Sequence, residues 1–303
     1  MVSVTPSQDE SEAFAGVHDE RRGIKKGLYL IPSAFTAANI GMGFYAVMAA
    51  LRGFQLVGTG GETELLRAAD HFDNAAKAIG WAFLFDMLDG RIARMTKTAT
   101  EFGVQFDSIA DVLTFGIAPA VLVYSWGYGA ALTDGSNGHK LGWFLSFMYL
   151  MCGAFRLARF NVQAARPRVL AEGAPKLDKK NFVGLPIPIA AVLIAAIIHF
   201  DPTPLIQYGT RPAELYSGLL MVLVATLSAL MVSTLRYSSF KTIGTHKRSA
   251  RVMILLVAAI GMLVWLYSRY VLLIVAVAYV LHGLLLRLGA MFRRHPANSG
   301  RTS

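Results

Sequence analysis

The stretch FDMLDGRIARMTKTATEFGVQFDSIADVLTFGI, residues 85–117, places four aspartates inside two strongly apolar segments. Asp86 and Asp89 stand three residues apart and Asp107 and Asp111 four apart, so in helices each pair projects from one face. A turn centred near Thr98 would fold the two helices antiparallel. Asp89 and Asp107 are each nine residues from it, and Asp86 and Asp111 twelve and thirteen. The spacing therefore predicts four carboxylates meeting at nearly the same depth.

That depth matters because the surroundings are apolar. An ionised aspartate near the middle of a spanning helix costs about 2.5 to 3.5 kcal/mol on the insertion scale, and less near the interface. Four together need compensation, and divalent cations provide it. Hard oxygen ligands suit Mg²⁺ or Mn²⁺, and two such ions held close together can clamp both oxygens of a displacement at phosphorus. The structural alternative is a set of salt bridges to Arg91, Arg94 and Lys97. Only Arg94 is spaced to turn towards the cluster, which leaves negative charge in excess. Gly90 and Ala93 lie on or beside the face carrying Asp86 and Asp89, and Gly103 lies below Asp107. Missing side chains there would admit a ligand, although small residues also serve close helix packing in membranes.

The whole chain agrees with a membrane setting. Of its 303 residues 54% are hydrophobic and 16% charged, and the mean hydropathy is positive, which argues against a water-soluble globule. The formal charge of +10 sits just outside apolar segments, where basic residues set orientation and meet anionic headgroups, so nucleic acid is not the expected partner. A single cysteine, Cys152, excludes an intramolecular disulfide and a cysteine metal cluster. It reads as a small apolar residue.

Eight spans are expected, near 28–51, 75–94, 104–127, 141–163, 183–200, 214–234, 250–267 and 270–291. The fold class is thus all-α, a polytopic membrane protein. Residues 1–27 are polar, lack a signal-peptide core and read as a partly disordered tail, as does 293–303. The last two spans form one apolar run too long for a single crossing, and a hairpin broken at Ser268 and Arg269 is expected. All but six of the 29 Lys and Arg residues fall on one side of this arrangement. The exceptions are Arg52, Arg67, Lys77, Lys140, Arg211 and Arg269. The positive-inside rule then puts both termini and the aspartate turn in the cytoplasm.

With these residues in place, the chain resembles the CDP-alcohol phosphotransferase family. The pattern D-x2-D-G-x2-A-R-x8-G-x3-D-x3-D is complete as Asp86, Asp89, Gly90, Ala93, Arg94, Gly103, Asp107 and Asp111. The resemblance implies a six-helix catalytic membrane domain, here 28–241, followed by an additional hairpin at 242–292. It implies an enzyme that binds a CDP-linked lipid, displaces CMP with an alcohol, and holds divalent metal on the motif aspartates. It also implies a homodimer, with Asp111 as general base. From the residues alone Asp111 is one candidate among four, since any carboxylate beside metals can accept the alcohol proton. Covalent catalysis by histidine is not expected. His18, His71, His139, His246 and His295 lie in tails or connections, and His199 and His282 in other spans, where they read as solvated or core residues.

Further stretches resemble the phosphatidylserine synthase branch of that family: IPSAFTAANIGMGF at 31–44, FDSIADVLTFGIAPA at 106–120, FRLARFNV at 155–162, FVGLPIP at 182–188 and VSTLRYSSFK at 232–241. The substrates implied are CDP-diacylglycerol and L-serine. Ser33 departs from the asparagine expected after the proline, while Thr36 and Asn39 keep the polar character of a nucleotide pocket. Serine presents a carboxylate, which arginine suits. Arg156 and Arg159 are the leading candidates, with Asn161 nearby and Arg236 at the equivalent end of span six. Interfacial anchoring is the competing role for these basic residues. Pro186 and Pro188 are expected to shape the start of span five. Rival readings are a related enzyme taking glycerol 3-phosphate, inositol phosphate or an archaeal ether lipid, and a cation transporter whose intramembrane acids bind the transported ion. A scaffold would leave four buried acids unexplained. The absence of a targeting segment favours a bacterial plasma membrane.

Overall fold

The computed structural model describes residues 8–96, 101–165, 181–233, 236–238, 262–263 and 266–282, with side chains at 34–92, 95, 103–163, 184–233, 262–263 and 266–282. The described residues are helical almost throughout, and the first of them form a hairpin of two long helices, α1 (Gln8–Thr59) and α2 (Glu62–Thr96). Gly60, at φ 74°, makes the turn between them, a backbone conformation that costs glycine nothing. Ala46, Ala49 and Ala50 of α1 and Ala68, Ala75, Ala76 and Ala82 of α2 are buried in this pairing. The Phe72 ring lies where a Cβ on Gly53 would sit, 2.8 Å away. Small residues on both helices therefore set the close approach. The helix begins at Gln8, so much of the polar segment before residue 28 has helical backbone.

The third span is not one regular helix. α3 (Glu101–Asp111) passes into a π-helical turn over Val112–Ile117, then α4 (Ala118–Val123), then a second π-helical turn over Tyr124–Tyr128. Pro119 supplies the local reason for the first turn. It lacks the N–H that would bond the Phe115 carbonyl in a regular helix. The Tyr149 hydroxyl donates to that carbonyl instead, at 3.2 Å. The wide turn begins at the residue after Asp111, which fits the tendency of such turns to accompany functional sites.

α5 (Asn137–Ala165), α6 (Ile187–Phe200) and α7 (Thr210–Val232) complete the central bundle. α6 packs on α2, and α7 on α5. The fifth span is shorter than expected from sequence. Residues 181–183 form a strand, β1 (Asn181–Val183), paired antiparallel with β2 (Arg236–Ser238), and the helix starts only after Pro186, whose ψ of 134° is not helical. Between strand and helix, Gly184 has φ 84° and a Cβ there would meet the Met231 carbonyl oxygen at 2.4 Å, while the Leu185 N–H bonds Leu230 O at 3.1 Å. Both ends of this link are thereby tied to the C-terminus of α7.

The expected break at Ser268 and Arg269 is not present. α8 (Leu266–His282) runs helically through both residues. No proline or glycine interrupts it there, and Ser268 bonds to a neighbouring helix rather than facing water at a turn. Most of the seventh expected span lies outside the described residues. Among the described residues, four stretches are long and apolar enough to cross a membrane: Ala34–Thr59, Gly103–Tyr128, Asn137–Gln163 and Thr210–Val232. α6 and α8 are shorter apolar helices. The protein is an integral membrane protein of all-α class, with one short two-stranded ribbon among the described residues.

Candidate active site

The turn near Thr98 lies outside the described residues, but the helices on either side bring the motif acids together. One carboxylate oxygen each from Asp86, Asp107 and Asp111 lies within 4.8 Å of the others. Asp89 stands beside them, near enough for its charge to act on Asp86 and Asp107. It is turned towards α1, where the buried Thr36 hydroxyl donates to its Oδ2. The arrangement is thus three carboxylates facing one another and a fourth oriented by a hydroxyl.

Compensating charge is scarce. Among the described residues, none of the four aspartates forms an ion pair. Arg91 is exposed, and the side chains of Arg94 and Lys97 lie outside the described residues. Arg156 of α5 is the one buried lysine or arginine among them, 7% exposed, and its charge acts on Asp111. One guanidinium does not offset this group of carboxylates. Asp111 Oδ1 is also buried without a hydrogen-bond partner. An orphaned carboxylate oxygen inside a ring of hard oxygen donors fits a divalent cation.

The flanking residues divide by what they touch. Asn39 of α1 is fully buried, with neither its Oδ1 nor its Nδ2 paired, while its backbone carbonyl accepts from the Thr114 hydroxyl at 3.2 Å. The Thr114 hydroxyl comes within 2.4 Å of where a Cβ on Gly43 would lie, so glycine allows α1 to reach the π-helical turn after Asp111. Gly90 and Gly103 are exposed beside the acids. Ala93 and Arg94 belong to α2, but their side chains, like those of Ser33 and Arg236, lie outside the described residues.

Arg156 and Arg159, paired by sequence, part company in the structure. Arg156 is near enough for its charge to act on Asp111, and its Nε is buried and unpaired. Arg159 directs its guanidinium at the end of α7, donating to Val232 O at 3.3 Å and Ser233 O at 3.5 Å. Asn161 Nδ2 donates to Ser108 Oγ at 2.7 Å, joining α5 to α3 one residue beyond Asp107.

Comparison with known sequences agrees with this geometry. The sequence model of the CDP-alcohol phosphatidyltransferases matches residues 29–213, which include every aspartate of the site. The chain belongs to this family. It is similar to the CDP-diacylglycerol–serine O-phosphatidyltransferase of Helicobacter pylori, 32% identical over 216 residues that cover 71% of this chain and 75% of that one. A protein of the same description from Methanocaldococcus jannaschii is 30% identical over 55% of this chain and 65% of its own. The archaetidylserine synthase of Methanothermobacter thermautotrophicus is 37% identical over 52% and 54%. As a phosphatidyltransferase-family member the chain is a transferase, with its acidic cluster at the centre of the matched region.

Sequence reading missed two features. The two π-helical turns leave no spacing signal, although Pro119 marks where the first must end. His199, read as a core or solvated histidine, is buried and bonded to both Asp73 and Ser268. Those partners lie 126 and 69 residues away along the chain. A cavity of about 410 Å³ lined by Trp126, Phe200, Asp201, Tyr208 and Tyr216, among others, lies at the opposite ends of α6 and α7 from the Gly184 link and is not part of the aspartate site.

Proposed function

We propose that the protein is a phosphatidylserine synthase, transferring the phosphatidyl group of CDP-diacylglycerol to the hydroxyl of L-serine with release of CMP. The observation that carries this reading is the cluster of Asp86, Asp107 and Asp111 with the buried Arg156 beside Asp111. Both the family membership and the descriptions of the relatives support the reaction class and the acceptor.

Asp86, Asp89, Asp107 and Asp111 would hold Mg²⁺ or Mn²⁺, as two ions, and metal bound there supplies charge neutralisation for the pyrophosphate and the departing CMP. Thr36 fixes the rotamer of Asp89. The serine oxygen attacks the phosphorus of the phosphatidyl group, the bond to the CMP oxygen breaks, and the serine proton passes to Asp111. No covalent enzyme intermediate is needed. Arg156 receives the serine carboxylate, with Arg159, Asn161 and Arg236 at the same end of the bundle. Gly90, Ala93, Arg94 and Gly103, with Thr36 and Asn39, form the side that takes the CDP-lipid. The unpaired amide of Asn39 supports a polar ligand or a water at that wall.

Residues 28–241 form the catalytic domain and the protein works as a homodimer. Both termini and the active site face the cytoplasm of a bacterial plasma membrane, in keeping with the distribution of basic residues. The similarity to an archaetidylserine synthase favours one variant of this reading, with the same acceptor and an ether-linked lipid. The deciding experiment is CMP release from CDP-diacylglycerol and from its ether analogue by purified protein with Mg²⁺ or Mn²⁺, comparing L-serine, glycerol 3-phosphate and inositol phosphate. Serine-dependent release is expected. Release only with another acceptor would overturn the serine assignment, and none with a folded, metal-loaded sample would favour the transporter.

A further inference from the structure

The third span presents two faces that a regular helix would merge. Asp107 and Asp111 meet Asp86, one carboxylate oxygen from each of the three lying within 4.8 Å of the others. Further along the same span, Ala118 and Leu122 are fully buried in the bundle. Ala118 lies seven residues after Asp111 and eleven after Asp107, and Leu122 lies eleven after Asp111. At about 100° per residue these separations are close to whole numbers of turns. An unbroken α-helix would therefore put the acids and the core residues on one stripe.

The wide turn over 112–117 removes this conflict. At its end the Ala118 N–H bonds the Leu113 carbonyl, five residues back instead of four. One residue is absorbed, and the two sides of the turn are offset by about 100°. Ala110, the one buried residue among the described side chains of α3, then falls in line with Ala118 and Leu122. Asp107 and Asp111 are left to the side of that line, where Asp86 meets them.

Two neighbouring helices hold the turn. Tyr149 of α5, fully buried, donates its hydroxyl to the Phe115 carbonyl at 3.2 Å, the acceptor that Pro119 cannot serve in a regular helix. Thr114, also fully buried, donates to Asn39 O of α1 at 3.2 Å, and Gly43 leaves room for it. Thr36, three residues before Asn39 on α1, donates to Asp89. α1 thereby ties the wide turn of the third span to the acids of α2.

We infer that the π-helical turn is the device that aims Asp107 and Asp111 at Asp86, with Tyr149 as the positioning residue that keeps it open. The inference rests on the reading of these acids as a divalent-cation site. It gives a role in the reaction to a tyrosine whose hydroxyl is spent on the backbone four residues past Asp111.

The test is a direct Mn²⁺ titration of the purified full chain by calorimetry, alongside the unfolding midpoint in metal-free buffer. Tyr149→Phe keeps the ring and deletes the bond to Phe115 O. Its Kd for Mn²⁺ should rise about tenfold, a usual loss when a group that orients metal ligands is removed. Tyr128→Phe is the control, because the Tyr128 hydroxyl is buried without a hydrogen-bond partner, and its Mn²⁺ affinity should be unchanged. Adding Pro119→Ala to Tyr149→Phe supplies the N–H that a regular helix needs at that position. The turn can then close, so the midpoint should recover while Mn²⁺ affinity falls further. A merely structural tyrosine would have both recover together. Unchanged Mn²⁺ affinity in Tyr149→Phe, equal losses in Tyr149→Phe and Tyr128→Phe, or joint recovery in the double variant would overturn the inference. The titration needs no acceptor, so it stands apart from the serine assignment. Wild-type protein that bound no Mn²⁺ would instead sink the metal reading on which the inference rests.

Discussion

Thr36 on α1 donates its hydroxyl to the Asp89 carboxylate on α2, and both groups are buried. The bond separates Asp89 from the other three acids in function: they face one another, while its own orientation is fixed from a second helix. With Asp89 in its proposed role as a metal ligand, Thr36 orients that ligand, and groups that do so commonly change metal affinity by tenfold or more when removed. Thr36→Val keeps the shape and deletes the donor. The Mg²⁺ or Mn²⁺ concentration for half-maximal CMP release should rise about tenfold, with little change in thermal stability. A metal titration checks this, and an unchanged midpoint would assign Thr36 to packing alone. Chelation should abolish activity in both proteins, and added metal should restore it.

Asp111 combines a buried, unpaired Oδ1 with a position beside Arg156, where an acceptor held by that arginine would present its hydroxyl. Asp111→Asn keeps the volume and removes the proposed base. Turnover should fall by about 10²- to 10⁴-fold, the usual contribution of a positioned general base. Binding of CDP-diacylglycerol, measured directly by calorimetry or by protection against heat, should persist. Activity near wild type would move the proton acceptor to another of the four aspartates.

The aspartate cluster was legible because helical periodicity and an antiparallel turn are local rules. Spacings of three and four residues define faces, and equal distances from Thr98 define a depth. The bundle was legible for the same reason, since apolar runs of spanning length announce themselves. What escaped depends on partners far apart in sequence. Arg156 and Arg159 lie three apart and look equivalent on a helical wheel, yet one is buried with its charge acting on Asp111 and the other bonds the end of α7. The hairpin expected at Ser268 and Arg269 rested on the length of the apolar run and placed its break at these two polar residues, whereas Ser268 is satisfied by His199 within a helix. The late start of α6 follows from Gly184 and Pro186, whose roles became visible only with the C-terminus of α7 beside them.

That link makes a stability prediction. Gly184 has φ 84° and its missing Cβ would lie 2.4 Å from the Met231 carbonyl oxygen, a backbone atom that cannot rotate away. Gly184→Ala therefore meets both an unfavourable backbone conformation and a clash, each costing on the order of 1 kcal/mol or more. Thermal unfolding in detergent should shift down by several degrees. Gly218→Ala is the control, because its Cβ meets nothing within 4 Å and the residue sits inside α7. Equal behaviour of the two variants would show that the 184–185 segment yields without cost.

The two arginines of α5 give the last contrast. Arg159 donates to Val232 O and Ser233 O, carbonyls at the end of α7 that have no further helical turn to satisfy them. Arg159→Ala should lower stability by about 1 to 2 kcal/mol and leave the ratio of the two substrate KM values in place. Arg156→Gln keeps most of the side-chain volume while removing the buried charge beside Asp111. It should raise the serine KM by about tenfold or more, through loss of a charge-assisted contact, with a smaller effect on CDP-diacylglycerol. Measuring both constants and the unfolding midpoint for each variant separates the roles. If Arg159→Ala instead raised the serine KM selectively at unchanged stability, then Arg159 would leave α7 to bind the acceptor during turnover, and both arginines would belong to the serine site.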